Sequence, residues 1–137
     1  MQPVLLDTCA AIWMSEDQYI AEQASRRLNE AYAAGVPTFI SPITAWEIGL
    51  LVSRQRFRLL ATPERWFERL LGLPNMRLAA MPPELLIASS FLPGNLPRDP
   101  ADRIIAATAR DLGATVVTRD RALLDYGAQG HISAMAC

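Results

Sequence analysis

The fold class predicted by the sequence is α/β: a parallel sheet with helices on both faces. Short apolar runs suited to strands alternate with longer stretches of helical periodicity along the whole chain. Strands separated by helices pair most readily as parallel neighbours. Two apolar runs far apart in sequence, "VLLDTC" at 4–9 and "ATVVTRD" at 114–120, each stop on a carboxylate, Asp7 and Asp120. Aspartate is seldom buried without a partner. In open parallel sheets the carboxyl ends of the strands form one edge, where ligands bind. The two acids are therefore expected to converge there.

The elements follow in order. Residues 3–6 are the first strand. Residues 18–34 read as a helix with Ile20, Ala24, Leu28 and Ala31 on one face and Gly35 as its stop. "TFIS", 38–41, is a short strand, and Pro42 opens a helix running to about Arg54. Thr62 and Pro63 cap and begin a helix ending near Gly72. "MRLAAM", 76–81, is a weak strand. Pro82 and Pro83 begin a short helix that ends before "LPGNLPRDP", a loop by its Pro, Gly and Asn content. Asp99 and Pro100 start a helix to about Leu112, which Gly113 ends. Residues 114–118 form a strand, 121–126 a short helix, and 131–134 a last edge strand.

Composition narrows the function. A chain of 137 residues, 51% of them apolar, predicts a single domain, 1–137, with a substantial core. No apolar stretch reaches the ~18 residues of a membrane span, and no secretory signal opens the sequence. The two cysteines, Cys9 and Cys137, lie at opposite ends, which favours a reducing cytoplasm over a disulfide framework. A zinc site is disfavoured, because His131 is the only histidine and no C-x-x-C pair exists. His131 itself reads as a surface or strand residue. The net charge of −1 is not that of a general nucleic-acid binder. All thirteen basic residues are arginine, however, and several cluster: Arg54, Arg56 and Arg58; Arg98 and Arg103; Arg119 and Arg121. Such patches can hold phosphate.

Two further acids stand out. Glu47 lies four residues after Ile43 and four before Leu51, inside the apolar stripe of its helix. A carboxylate there must be protonated, paired or bound to a cation; pairing with Arg54 or a place at the helix edge would also satisfy it. Asp99 and Asp102 both suit a helix N-terminus. Asp102 also shares a face with Ile105, Ala106 and Ala109, so Asp99 reads as structural and Asp102 as functional. If Asp7, Glu47, Asp102 and Asp120 meet, a hard divalent cation would offset their repulsion. It would also bind a phosphodiester and activate water, while nearby basic residues, Arg98, Arg103 and Arg119 among them, would hold flanking phosphates. Ser41 and Ser53 have no histidine partner, which disfavours serine nucleophile chemistry.

At "LLDTCAAIW", "SPITAWEIGLL", "RDPADRIIAATAR" and "ATVVTRD" the sequence resembles the PIN-domain family, and within it the VapC-like toxins of bacterial toxin–antitoxin pairs. The resemblance spans nearly the whole chain. It implies a three-layer α/β/α sandwich with a central, mainly parallel sheet, and an endoribonuclease dependent on Mg²⁺ or Mn²⁺. Its acidic quartet falls on Asp7, Glu47, Asp102 and Asp120 as catalytic residues and metal ligands, with the first three expected to form the metal shell. Thr8 and Thr118 match its accessory hydroxyl positions. Residue 97 is proline where some relatives carry histidine, and residue 101 is alanine where many carry phenylalanine. The implied partners are RNA and a VapB-like antitoxin that blocks the acids. Apolar helices around Trp46 and Trp66 suit partner contact and homodimerisation, and Trp13, Trp46 and Trp66 read as packing or interface residues. Two other readings stay open: a catalytically silent binding module on the same fold, and a different phosphohydrolase with an aspartyl nucleophile.

Overall fold

Successive residues of a strand face opposite sides of its sheet, and the first strand divides the core accordingly. Val4 and Leu6 pack into one apolar layer and Leu5 into the other. The same holds for Val117 and Val116 near the other end of the chain. A computed structural model describes residues 1–16 and 19–137. Among these, the elements run β1 (Val4–Leu6), α1 (Thr8–Ser15), α2 (Glu22–Ala33), β2 (Thr38–Ile40), α3 (Pro42–Ser53), α4 (Pro63–Leu71), β3 (Met76–Leu78), α5 (Pro83–Ala88), α6 (Pro100–Leu112), β4 (Thr115–Thr118), α7 (Arg121–Ala128) and β5 (Ser133–Ala136).

The strands form one sheet in the order β3-β2-β1-β4-β5, and every pairing is parallel. One face is covered by α1, α2 and α4, through Ala10, Ala11, Ile12, Ala24, Ala31, Trp66 and Leu70. The other is covered by α6 and α7, through Ala101, Ile105, Ala106, Ala109, Leu123 and Tyr126. α3 lends Ile48 to the first layer and Ile43 to the second. The expected three-layer α/β/α arrangement is therefore present. Among the described residues no helix is long and apolar enough to cross a membrane.

Local chemistry sets most boundaries. Ser41, Thr62, Asp99 and Asp120 each accept a hydrogen bond from the first turn of the helix they precede, and proline opens α3, α4 and α6. α6 ends on Gly113 at φ 62°, a left-handed backbone that glycine adopts without penalty. Ser53 donates to Leu50 O within α3, so both candidate serines have structural roles. His131 lies half-buried before β5, its ring 4.9 Å from that of Tyr126.

Two boundaries need correction, and one helix goes beyond the sequence reading, which assigned no element between the first strand and residue 18. After Asp7 the chain enters α1 at once. "TCAAIWMS" lacks an amphipathic period because both its sides are apolar, with Thr8, Ala10, Ala11 and Ile12 all buried. The helix expected over 18–34 spans Glu22–Ala33, and its expected start at Gln18 lies outside the described residues. The last strand runs two residues later than 131–134. Of the packing and interface roles expected for Trp66, it takes packing: it is 5% exposed, and its indole N–H donates to Ser15 Oγ at 2.9 Å. Trp46, by contrast, is 56% exposed.

Candidate active site

The sheet register brings the first acid to its partners. Leu6 is aligned with Val117, so Asp7 stands beside Thr118 just beyond the paired residues. Asp7 N–H donates to Val117 O at 3.2 Å. Its side chain caps α1, with Oδ1 accepting from Ala10 N–H at 2.8 Å, while Oδ2 accepts from the Thr118 hydroxyl. Asp7 is only 5% exposed. Burial raises its pKa and the charge of Asp120 adds to the rise, against the lowering effect of the Thr118 and Ala10 hydrogen bonds.

Glu47 reaches the same edge from α3. Its Oε1 accepts from Thr8 Oγ1 at 2.5 Å, and Thr8 Oγ1 lies 3.0 Å from Thr44 Oγ1. Burial is the main cause of its raised pKa. Thr8 opposes the rise, and the charges of Asp99, Asp7 and Asp120 add to it. Arg54, the alternative partner weighed from sequence, is the exposed C-cap of α3 and forms no ion pair with Glu47.

Asp102 is in the first turn of α6. Burial pushes its carboxyl up to about 8, with further increments from Asp120, Asp99, Glu47 and Asp7. Asp120 caps α7, its Oδ1 accepting from Leu123 N–H at 3.1 Å, and its own N–H donates to Thr118 Oγ1 at 2.9 Å. Thr118 thus joins the two acids at the ends of the central strands. The Cys9 thiol gives a further sign of the local potential. Partial enclosure pushes it up to about 11, and the charges of Asp7, Glu47, Asp120 and Asp102 all contribute.

The acids lie within one another's fields, and none has an arginine partner. Among the described residues the ion pair found is Arg26–Glu22 at 3.1 Å, on the surface of α2. Nor do any three His, Cys, Asp or Glu side chains among the described residues close into a ready cage for a metal ion. The donor set nevertheless suits a hard divalent cation: carboxylate and hydroxyl oxygens, uncompensated negative charge and carboxyl groups with raised pKa. Mg²⁺ in particular keeps several waters and takes one or two carboxylates, so it needs no closed protein cage.

The three candidate phosphate-binding arginines have different surroundings. Arg119 Nε donates to Cys137 O at 2.7 Å and Nη2 to Tyr19 O at 2.8 Å, and its guanidinium carbon lies 3.0 Å from the centre of the Trp13 ring. It clamps chain segments together instead of facing the acids. Arg103 Nε braces the loop before α6 through Pro97 O at 2.6 Å. Arg98 is exposed beside Asp99.

Two residues near the acids go beyond the sequence reading. Asp99 does cap α6, accepting from Ala101 N–H at 2.9 Å, but its charge also raises Glu47 and Asp102. The i, i+3 spacing of Asp99 and Asp102 carried that signal. Thr44 is fully buried against Thr8; it lies within "SPITAWEIGLL", but the sequence reading did not single it out.

The PIN domain family matches residues 4–129. The chain is 33% identical over 127 residues to Ribonuclease VapC22 of Mycobacterium tuberculosis (strain ATCC 25618 / H37Rv), covering 92% of this chain and 93% of that protein. The fold resembles that in the crystal structure of VapBC2 from Rickettsia felis bound to a DNA fragment from their promoter, with TM-score 0.66, 14% identity and 98% of each chain covered. It also resembles FitAcB from Neisseria gonorrhoeae, with TM-score 0.56, 20% identity and 96% of each chain covered.

Proposed function

The chain belongs to the PIN domain family, and on that premise we propose that it is a Mg²⁺- or Mn²⁺-dependent endoribonuclease, the toxin of a toxin–antitoxin pair, acting in the cytoplasm. The observation that carries this reading is electrostatic. Acids from the β1–α1 junction, α3, α6 and the β4–α7 junction share one neighbourhood, and among the described residues no arginine pairs with them. A phosphodiester would be repelled by that field, so a cation must precede it.

In this reading Asp7, Glu47 and Asp102 hold the cation, with Asp120 and Asp99 reinforcing the field. Thr118 orients Asp7 and Thr8 orients Glu47 through the hydrogen bonds described. The bound cation supplies a lowered pKa for an attacking water and neutralises charge developing on the phosphodiester. The Asp102 carboxyl, raised to about 8, would release its proton as the cation binds. Arg98 has the exposure to meet a flanking phosphate. RNA as the substrate is supported by the ribonuclease relative. A cognate antitoxin and a second copy of the chain are the protein partners of this reading, and exposed Trp46 offers them an aromatic surface.

The test is cleavage of RNA by the purified protein with Mg²⁺ or Mn²⁺. Internal cuts are expected, abolished by chelation and by Asp7→Asn. Undiminished cleavage by Asp7→Asn would overturn the assignment.

A further inference from the structure

Thr44 is fully buried on α3, one turn before Glu47. A buried hydroxyl needs a partner, and in helices the usual one is the carbonyl four residues back. Thr108 in α6 follows that habit, donating to Ile104 O at 2.7 Å. Thr44 does not. The residue four before it is Ile40, in β2 and outside the helix, whose carbonyl accepts from Ala79 N–H at 2.8 Å. The Thr44 hydroxyl instead lies 3.0 Å from Thr8 Oγ1, a contact in which either oxygen could donate.

With Glu47 ionised, counting protons fixes the direction of this contact. Thr8 has one hydroxyl proton. Glu47, ionised as a cation ligand must be, can only accept, and it takes that proton at 2.5 Å. The proton between the two threonines must then come from Thr44. The relay runs from Thr44 to Thr8 to the Glu47 carboxylate, each bond polarising the next. It also spans two elements. Thr44 and Glu47 are on α3, whereas Thr8 opens α1 and directly follows Asp7. The two hydrogen bonds therefore fasten the chain segment bearing Asp7 to the helix bearing Glu47.

We infer that Thr44 is a positioning residue: by donating to Thr8 it fixes the direction of the Thr8 hydroxyl and so holds Glu47 in register with Asp7. This rests on the reading of Glu47 as a cation ligand. Thr44 does not touch the cation or the substrate; it acts through Thr8. Groups that orient a ligand from behind typically change metal affinity about 10- to 100-fold when removed.

The experiment measures Mn²⁺ affinity of the metal-free protein by electron paramagnetic resonance, with thermal melting to confirm folding. Thr44→Val keeps shape and removes the donor, and should weaken Mn²⁺ binding about tenfold. Thr44→Ser keeps the donor and should bind like the unaltered protein. Thr8→Val should weaken binding as Thr44→Val does, and adding Thr44→Val to Thr8→Val should cost nothing more, since the relay is already cut. Additive losses in the double variant, or equal behaviour of the Val and Ser variants, would overturn the inference. Should Thr44→Val not fold, Thr44→Ala is measured against Thr44→Ser to the same standard. Glu47→Gln separates the two levels. If it weakens Mn²⁺ binding while Thr44→Val does not, the relay alone fails. If it leaves Mn²⁺ binding unchanged, the ligand role of Glu47 fails and the relay with it.

Discussion

The Thr118 hydroxyl donates to the buried carboxylate of Asp7, joining residues 111 positions apart across adjacent parallel strands. The same oxygen accepts the Asp120 N–H. Thr118→Val would deprive both groups of a partner and should destabilise the fold by ~1–3 kcal/mol. Asp7→Asn should act in the opposite sense. It removes a charge that burial disfavours while retaining an amide oxygen to cap α1. Chemical denaturation should show metal-free Asp7→Asn at least as stable as the unaltered protein, although nuclease activity is lost.

Stability of the metal-free protein should depend on pH. Asp102 is raised from 3.8 to about 8, so the folded state binds its proton more tightly than the unfolded state. The resulting stabilisation is full below 3.8 and is lost as pH rises through about 8. Raised Asp7 and Glu47 contribute with the same sign. Calorimetry should therefore find a lower melting temperature near pH ~8.5 than near pH ~5. Asp102→Asn should flatten the profile, and Mn²⁺ should restore stability at the alkaline end.

Cys9 reports on the same field. With its thiol at about 11, the reactive thiolate at pH ~8 is only about one part in a thousand. Alkylation by iodoacetamide, followed by peptide mass spectrometry, should be much slower at Cys9 than for a free thiol. Asp102→Asn and Asp120→Asn should each accelerate it. Insensitivity to both substitutions would contradict the shared field.

Arg98 and Arg119 should separate cleanly. Arg119→Ala removes two hydrogen bonds and the Trp13 contact and should lower stability by ~1–2 kcal/mol. Its effect on the salt dependence of RNA binding should be small. Arg98→Ala should leave melting unchanged and reduce the slope of log K against log salt by nearly one. Reversed effects in a salt titration would exchange the roles of the two residues.

The acids at strand ends are legible because a carboxylate closing an apolar run, or interrupting an apolar helical stripe, conflicts with burial and asks for a partner. The alternation of elements is legible for a similar reason: Pro42, Thr62, Asp99 and Gly113 mark boundaries through local backbone chemistry. What stays hidden depends on tertiary surroundings. α1 has no polar face to reveal its period. Thr44 resembles ordinary helix filler until Thr8 is placed against it. Arg119 sits between Thr118 and Asp120 in sequence, yet its guanidinium turns to Trp13 and main-chain oxygens, a direction that adjacency cannot show. Trp66 looks like a docking surface until its indole is seen enclosed over Ser15.

The strand order has a consequence for the cell that makes this protein. β1 lies at the middle of the sheet, and its neighbour β4 follows it 111 positions later in the chain. Domains fold largely as units while the chain emerges from the ribosome. A nascent chain that has reached α6 already carries Asp7, Glu47 and Asp102 but lacks one of the two strands bordering β1, along with Thr118 and Asp120. The acid-lined edge of a growing chain therefore takes shape only after β4 has emerged and paired with β1.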